Sequence, residues 1–490
     1  MPELFLREPV MPGTATIRPR LLPVGLFLSS VCLAELLAAA LTGGASGVWF
    51  SVEFLGGLLC LLIVVQMGIW ADKWTRDHDF FSPLVAFPIA YVFWFVIGSL
   101  DVVKVPSSVS FGLFDPMPLY IWGYVVLGLV AFLCGNRLMR GGVFPEVAGR
   151  SCRFRWDGAR FWQIVVLLSV LTAGSYIYIV LRIGIPALSA DAGQIRLELA
   201  KFGVAQAILF SSAWTLIPFL VAYLWLHELT KAGRFSLWAS VCFIAVLLLS
   251  LGGRSQLFVP FAVALVMRHY MRRRFRLIRL GFLVLAAFCA VSVFGYVRDT
   301  ALTGGNEAAE WLNVPSAVMP FVYAYLYIRF PVATFRDITV AIPRTTGFQY
   351  GALTFGPLDS LLPGHHHQSD MYFKELLGND FIGAGQPATL LGPLYADGGA
   401  VGIGIGLFVF GIILAAAFRW MQADMSAYRV LVYAWIVQTG LFSFFSNLFP
   451  YITTLWLPVM WFLLDCYLVR SRPGAISAGR TAWRPLVPYQ

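Results

Sequence analysis

Long apolar runs separated by short polar stretches are the main pattern of this sequence. Most runs contain roughly 17 to 25 residues, the length of an α-helix that crosses the hydrocarbon core of a bilayer. The pattern therefore predicts about twelve membrane-spanning helices. The first run is too long for the apolar core of a signal peptide, although Ala38, Ala39 and Ala40 resemble a cleavage region, so we expect a retained helix. The expected spans are 21–42, 48–71, 82–100, 117–139, 162–182, 207–227, 236–252, 256–270, 278–297, 400–419, 429–447 and 451–469.

Composition agrees with a membrane protein. Hydrophobic residues make up 59% of the chain, charged residues make up 12%, and the mean hydropathy is +0.77. Soluble domains carry about a quarter charged residues. The seven cysteines lie in apolar runs or in a basic loop, and no CxxC pair occurs, so neither a disulfide framework nor a zinc site is predicted. The expected fold class is all-α: a polytopic transmembrane helical bundle with a large extracytoplasmic loop that contains short helices.

The basic residues give the predicted bundle an orientation. The net charge is +10, but the positive residues gather in short stretches between apolar runs. Such a pattern orients membrane helices and needs no nucleic-acid partner. By the positive-inside rule, these stretches and both chain ends lie in the cytoplasm. The stretches contain Lys73 with Arg76, residues 137–160, Lys231 with Arg234, and residues 268–279.

A segment of about one hundred residues falls on the opposite face and is far longer than an ordinary connection. The predicted division is an N-terminal helical part with a basic outer loop at 183–206, the large loop, C-terminal helices, and a cytoplasmic tail. The number of predicted spans agrees with the assigned side of each loop only if the helix predicted at 311–335 does not cross the membrane completely. Its tyrosines alternate with aliphatic residues and three prolines break it, which favours an interfacial or re-entrant helix. The three prolines are Pro315, Pro320 and Pro331. In chain order, the four predicted parts cover residues 1–297, 298–399, 400–470 and 471–490.

An arginine on the outer face is informative, because orientation alone does not place it there. Arg254 lies in the tight turn Gly252-Gly253-Arg254-Ser255 between two predicted spans, and Ser255 is expected to be the N-cap of the second span. The positive end of that helix and the guanidinium would together form an anion site for a phosphate or diphosphate headgroup. The alternative is an arginine that only extends to the membrane interface.

Further outer arginines are predicted to contact substrate. Arg182 ends the fifth predicted span, and Arg298 begins the large loop. Arg196 belongs to a short amphipathic helix that would either hold a diphosphate or lie on anionic lipid. Arg329 and Arg336 share one face of the tyrosine-rich helix, and anchoring to headgroups is the favoured role for Arg336.

The second half of the large loop contains the candidates for a catalytic base. His365, His366 and His367 are adjacent, so they cannot all face one ion from a regular element, and no HExxH spacing predicts zinc. One of them is instead a candidate general base, because an imidazole titrates near neutral pH. Glu375 and Asp359 compete for that role, and the alternative for the histidines is that they are simply exposed loop residues.

The end of the loop returns the chain to the membrane. Its glycines suit a tight descent, and Gly402, Gly404 and Gly406 are predicted to let helices pack closely. A structural role is the stronger interpretation of this stretch. Tyr395 and Thr389 are also candidates for lining a substrate groove.

These features resemble the oligosaccharide repeat-unit polymerases, the Wzy-type O-antigen polymerases of bacterial envelopes. The resemblance extends over most of the chain from residue 80 onward, and the order of the motifs and the long outer loop between late helices both correspond. The motifs are Gly252-Gly253-Arg254-Ser255, Arg182 with Gly184, Leu362-Pro363, and the spaced residues Thr389, Gly392, Tyr395, Gly398 and Gly402.

The resemblance implies a metal-independent glycosyltransferase of the broad GT-C type in the bacterial inner membrane, with its active site facing the periplasm. The donor would be a glycan on undecaprenyl diphosphate, and the acceptor a second lipid-linked unit whose sugar hydroxyl attacks the anomeric carbon. Arg254 and Arg182 lie in matched motifs and would bind the diphosphate. Membrane lipid and a chain-length regulator protein would be further partners, and no cofactor is expected.

Two alternatives stay open. An O-antigen ligase, or another polyprenyl-phosphate-dependent transferase, would share the fold and use a different acceptor. A flippase for lipid-linked glycans belongs to another class. Coupling sites of transporters usually contain buried charges, whereas Glu35, Glu53 and Asp465 alone stand out within the predicted spans. The long outer loop also favours an enzyme over a carrier.

Overall fold

A computed structural model describes part of the chain. The described residues are 52–70, 79–100, 117–140, 156–186, 202–227, 229–251, 254–272, 275, separate positions within 279–297, 314–356, 369–378, 386–423, 425–445 and 452–469.

Within these residues the secondary structure is helical, apart from one isolated β-bridge between Trp156 and Val469. The prediction of an all-α fold is confirmed, and most helices begin and end within a few residues of the predicted spans. A 3₁₀ turn at Ser316–Val318 precedes α8, and the described positions between 279 and 297 are helical. The helices are α1 (Val52–Trp70), α2 (Pro83–Ser99), α3 (Leu119–Arg140), α4 (Gly158–Ile183), α5 (Gly203–Leu226), α6 (Lys231–Ser250), α7 (Arg254–Met271), α8 (Met319–Thr345), α9 (Ala352–Phe355), α10 (Ser369–Leu376), α11 (Leu391–Ala423), α12 (Ala427–Phe442) and α13 (Ile452–Leu468).

Several helices have the length and composition of membrane spans. In the described part of the chain, six are long and apolar enough to cross a bilayer: α3, α4, α5, α6, α8 together with its 3₁₀ turn, and α11. Apolar stretches of α1, α2, α7 and α13 are shorter. These helices fit a membrane protein. The total of about twelve spans stays a prediction, because the run at 21–42 and part of the run at 278–297 lie outside the described residues.

Helix α8 corrects one expectation about the large loop. Pro331 does not break the helix, which continues from Met319 to Thr345 with Pro331 inside it, and Pro320 lies in the first turn. A proline is tolerated in the first turn because its missing N–H would have no helical partner there. Pro315 precedes the 3₁₀ turn. Pro315 and Pro320 therefore lie at the start of this segment, and Pro331 does not divide it.

The contacts between α8 and α2 show that the two helices run in opposite directions. Tyr325 donates a hydrogen bond to the Leu100 carbonyl, whereas the ring of Phe335 lies 6.4 Å from that of Phe95. The order of the contacts along α8 is therefore the reverse of their order along α2. The interfacial orientation and the incomplete crossing of α8 stay predictions, because α8 also has the length of a span.

The chain forms two compact units, and α5 is the centre of the second. Unit 1 comprises 1–146, 274–418 and 439–450; unit 2 comprises 147–273, 419–438 and 451–490. The sequence of α5 is apolar on all sides, and 78% of its most apolar window is buried, as expected for a core helix. It packs against α4, α6, α7 and α13.

Hydrogen bonds join helices inside unit 2. The indole N–H of Trp461 donates to the Thr215 hydroxyl at 2.8 Å, and the Thr172 hydroxyl donates to that of Ser212 at 2.8 Å. The two bonds are buried and link α13 and α4 to α5, as polar side chains often do between membrane helices.

An aromatic cluster forms the core of unit 1. Phe87 of α2 stacks on Phe132 of α3 with ring centroids 4.0 Å apart, and it meets Phe410 of α11 at 5.2 Å and Phe444 at 5.0 Å. All four side chains are buried. Lipid tails are as apolar as phenylalanine, so in a bilayer this cluster would stabilise the unit through close packing more than through removal from water.

Glycines bring the backbones of α3 and α11 together. A Cβ added to Gly135 would lie 2.0 Å from the Phe408 carbonyl oxygen, and one added to Gly411 would lie 2.3 Å from the Phe132 carbonyl oxygen. No larger residue fits without moving a helix. Small residues at such crossings are typical of membrane helix packing.

Helix α11 folds back on itself near its start. Gly398 and Gly399 have non-helical backbone angles, with φ of 60° at Gly399. In a straight helix Leu394 and Gly406 would be about 18 Å apart, yet a Cβ on Gly406 would lie 2.3 Å from the Leu394 side chain. The arm 391–397 therefore packs along the arm 400–423. Close packing at Gly402 and Gly406 is confirmed, whereas a Cβ on Gly404 would meet nothing within 4 Å.

Candidate functional site

The two arginine motifs that the sequence predicts to face outward lie at one end of unit 2. Residues 227–230 connect α5 to α6, and residues 251–253 connect α6 to α7, so these three helices run in alternating directions. The start of α7, at Arg254, therefore lies at the end where α5 begins. The hydroxyl of Tyr176, about two turns before the end of α4, forms a 2.7 Å hydrogen bond with that of Ser250, the last residue of α6. Arg182, in the last turn of α4, is consequently at this same end.

The opposite end of unit 2 is basic. Lys231 and Arg234 begin α6, Arg160 begins α4 and Arg268 is in the last turn of α7. The C-terminal helix also ends there, because the Arg160 guanidinium donates to the Tyr467 carbonyl at 2.8 Å. One end of the unit thus carries the clustered charge, and the other carries Arg182 and the start of α7.

Asp465 has a structural partner at the basic end. Its carboxylate accepts a 2.9 Å hydrogen bond from the indole of Trp156, and the Asp157 backbone N–H donates to the Leu468 carbonyl at 3.0 Å. These bonds attach the end of α13 to the start of α4. One of the acidic residues that stands out within the predicted spans therefore has a packing role.

Arg182 is exposed and held in a defined position. Helix α4 ends because Gly184 adopts φ of 77°, and its N–H donates to the Val180 carbonyl at 2.9 Å. The guanidinium carbon lies 5.8 Å from the centroid of the Tyr178 ring, one turn earlier. A cation at this distance over an aromatic ring is attracted to it, which restricts where the guanidinium lies.

The start of α7 differs from the prediction by one residue. The helix begins at Arg254, so Ser255 lies inside the first turn and is not the N-cap. The helix nevertheless starts in the Gly-Gly-Arg-Ser motif, and its first-turn N–H groups give this end a partial positive charge. This end of unit 2 therefore carries both the Arg182 guanidinium and the positive end of α7.

Two arginines of α8 have partners inside unit 1. Arg329 is buried and donates a 2.5 Å hydrogen bond to the Gly98 carbonyl of α2. Arg336 is buried and forms an ion pair with Asp337, with N and O 2.7 Å apart. Both arginines therefore take part in packing around α8. A role of Arg329 in binding substrate, and of Arg336 in anchoring to headgroups, stays a prediction.

Tyr395 and Thr389 are packed into the hairpin at the end of the large loop. Tyr395 is buried, donates to the Thr339 carbonyl at 3.2 Å and lies 5.1 Å from the ring of Tyr124. Thr389 is buried with φ of 59°, and its hydroxyl accepts the Leu391 N–H at 3.1 Å. These contacts begin α11 and fix it against α8 and α3. They support the structural interpretation of this stretch.

Among the predicted base candidates, Glu375 is described and is exposed on α10. The neighbouring Phe373 is fully buried, and a Cβ on Gly392 would lie 3.6 Å from its ring, so α10 packs against the start of α11. The other predicted site residues that lie outside the described residues are Asp359, His365, His366, His367, Arg196 and Arg298. Within the described part of the chain, no group of three His, Cys, Asp or Glu side chains is arranged to hold a metal ion.

Asp397 is a residue whose role sequence reasoning missed. Its buried carboxylate accepts the N–H groups of Leu353 at 3.0 Å and Thr354 at 2.6 Å, in the first turn of α9. Backbone N–H groups of Gln349 and Tyr350 donate to the Ala396 and Asp397 carbonyls at 2.9 and 3.0 Å. Asp397 thus caps a helix more than forty positions earlier in the chain. The sequence signal for this residue is its position before Gly398 and Gly399. That signal does not identify the backbone groups that its carboxylate binds.

The segment that Asp397 holds presents aromatic rings. Tyr350 is 90% exposed and has φ of 50°, which is uncommon for a residue other than glycine. Phe355 is also exposed, at 62%. A strained backbone persists only where its surroundings fix it, and here the hydrogen bonds to α11 do so.

Comparisons of the chain with family models, with curated proteins and with solved structures find no match.

Proposed function

We propose that this protein is a membrane glycosyltransferase that joins undecaprenyl-diphosphate-linked oligosaccharide repeat units into a surface polysaccharide. The observation that carries the proposal is the common position of Arg182 and the start of α7 at the less basic end of unit 2. These are the two arginine motifs that resemble the repeat-unit polymerases.

The charge distribution supports an outward-facing site. Positive residues gather on the cytoplasmic side of membrane proteins, and in unit 2 they gather at the end opposite Arg182. With that end in the cytoplasm, Arg182 and the start of α7 face the periplasm, and the C-terminus lies in the cytoplasm. The proposed location is the inner membrane of a bacterium.

Fixed positive groups supply what the reaction needs. An acceptor hydroxyl attacks the anomeric carbon of the donor sugar, and a new C–O bond forms as the bond to the diphosphate oxygen breaks. The diphosphate leaves with the electron pair and develops negative charge, which preorganised arginines and helix N–H groups stabilise. The hydroxyl proton passes to a base, for which Glu375, Asp359 and one histidine of 365–367 are the candidates.

The aromatic segment of unit 1 supports a glycan substrate. Exposed rings of Tyr350 and Phe355 offer flat apolar faces, which suit the C–H faces of sugar rings. The bonds to Asp397 hold the backbone beneath these rings in one conformation, so little conformational entropy is lost when a sugar binds.

The proposal is tested in cells that lack the chromosomal copy. Arg254→Ala should abolish long polymer while the protein still reaches the membrane, and Arg254→Lys should restore it only partly, because a bidentate contact would be lost. Arg234→Ala is the matched control, since Arg234 is an exposed arginine at the opposite end of the same unit. Normal polymer length in Arg254→Ala would reject the assignment.

A further inference from the structure

A groove opens on the surface of unit 2 between α4 and α5. It has a volume of about 810 Å³ and is lined by Gly174, Ser175 and Tyr178 of α4 and by residues 202–205 and Ile208 at the start of α5. The groove is an open surface feature and not an enclosed cavity. The Tyr178 and Phe202 rings meet edge to face at 6.0 Å and form one wall. The lining is mainly apolar.

Glycines make the groove wide. Among the described residues, nothing lies within 4 Å of a Cβ added to Gly174 or to Gly203. Neither glycine is therefore required by close packing, in contrast to Gly135 and Gly411. Glycine also costs about 1 kcal/mol in a helix relative to alanine, so Gly174 within α4 is unfavourable for the helix by itself. Its effect is to keep space open beside Tyr178.

One end of the groove is positive. The Arg182 guanidinium is exposed and lies over the ring of Tyr178, which lines the groove. The first turn of α5 forms the other side, and its N-cap residue Phe202 makes no side-chain capping hydrogen bond. The partial positive charge of this helix end therefore adds to that of Arg182. An apolar groove that ends in an anion site matches a lipid with a phosphate headgroup.

We infer that this groove holds the isoprenoid chain of the lipid carrier, with the diphosphate bound at Arg182. The inference rests on the proposed function. It commits to the carrier in preference to a bilayer phospholipid, because a methyl-branched chain is broader than a straight acyl chain and the two open glycine positions give the groove breadth. The groove thereby fixes where the reacting diphosphate lies relative to unit 2.

Binding of carrier to the purified full-length protein tests the inference. Native mass spectrometry would measure the affinity for undecaprenyl diphosphate and, separately, for dioleoylphosphatidylglycerol. Gly174→Leu fills the groove and favours the helix, so the protein should still fold. We expect Gly174→Leu to lower the affinity for undecaprenyl diphosphate at least about tenfold, because the loss of even two buried methylene groups has that effect. Gly123→Leu is the matched control, since Gly123 is another helical glycine whose Cβ would meet nothing within 4 Å.

A second variant separates headgroup from chain. Arg182→Gln should lower the affinity for undecaprenyl diphosphate but leave the affinity for undecaprenol unchanged. Gly174→Leu should lower both affinities. Unchanged carrier affinity in Gly174→Leu would overturn the inference. Equal weakening of the phosphatidylglycerol would also overturn it and would assign the groove to bilayer lipid. A protein that binds carrier in the groove but makes no polymer would reject the proposed function alone.

Discussion

Asp397 should control whether the exposed aromatic segment stays docked on α11. Asp397→Ala removes two hydrogen bonds to the first turn of α9, both made by a carboxylate that is 7% exposed. A hydrogen bond to a charged group contributes about 1.5–3 kcal/mol, so the pair stabilises the docked state by about 3 kcal/mol or more. Each 1.4 kcal/mol changes an equilibrium constant tenfold, so the undocked population should rise about a hundredfold.

Hydrogen–deuterium exchange measures this population. In protein reconstituted into lipid nanodiscs, the peptide that contains residues 349–356 should exchange about a hundredfold faster in Asp397→Ala than in the parent protein. Asp397→Asn keeps one acceptor oxygen and should give an intermediate rate. Glu375→Ala removes an exposed carboxylate from α10 and should leave the rate unchanged. Unchanged exchange in Asp397→Ala would refute the reasoning that this carboxylate holds the segment.

Two further predictions concern the hairpin and the orientation of the chain. Gly399→Ala should lower the thermal unfolding temperature in detergent, because φ of 60° disfavours alanine and the added Cβ would lie 3.0 Å from the Phe348 ring. Gly398→Ala is the control and should have a smaller effect, since its Cβ would meet no described residue within 4 Å. Equal shifts of the unfolding temperature would contradict the hairpin geometry. His366→Cys in a cysteine-free background should react with a membrane-impermeant thiol reagent in cells whose outer membrane alone is permeabilised. Reaction only after disruption of the inner membrane would contradict the orientation.

The helices could be predicted because their signal is local. A run of apolar residues long enough to cross a bilayer has one favourable conformation there, in which every backbone group is paired within the segment. The bounds of α3, α4 and α13 accordingly lie close to those of the predicted spans. The close packing at Gly402 and Gly406 could also be anticipated, since small residues repeated along one face permit backbone approach.

The effect of a proline on a helix depends on its position and its surroundings, which the sequence does not show. Pro331 lies inside α8 and yet does not end it. Pro331 and its neighbours at 332–336 are buried. Packing against other helices can compensate for one missing backbone hydrogen bond. The sequence shows the missing donor, but it does not show those neighbours.

The partners of polar residues could not be predicted because they are distant in sequence. Arg329 donates to the Gly98 carbonyl, more than two hundred positions earlier in the chain. Asp397 reaches Leu353 and Thr354 in the same way. Spacing along one helix identifies which residues share a face. It does not identify the helix that the face meets.

Elongation of lipid-linked repeat units by the purified protein tests the central claim most directly. Synthetic undecaprenyl-diphosphate repeat units would be supplied in detergent without nucleotide sugar, ion gradient or divalent metal, and with a chelator present. A ladder of longer glycans that is lost in Arg254→Ala and kept in Arg234→Ala is the predicted result. A ligase would give no ladder unless a distinct acceptor were added. A protein that moves the lipid-linked glycan across a vesicle bilayer but never lengthens it would contradict the account.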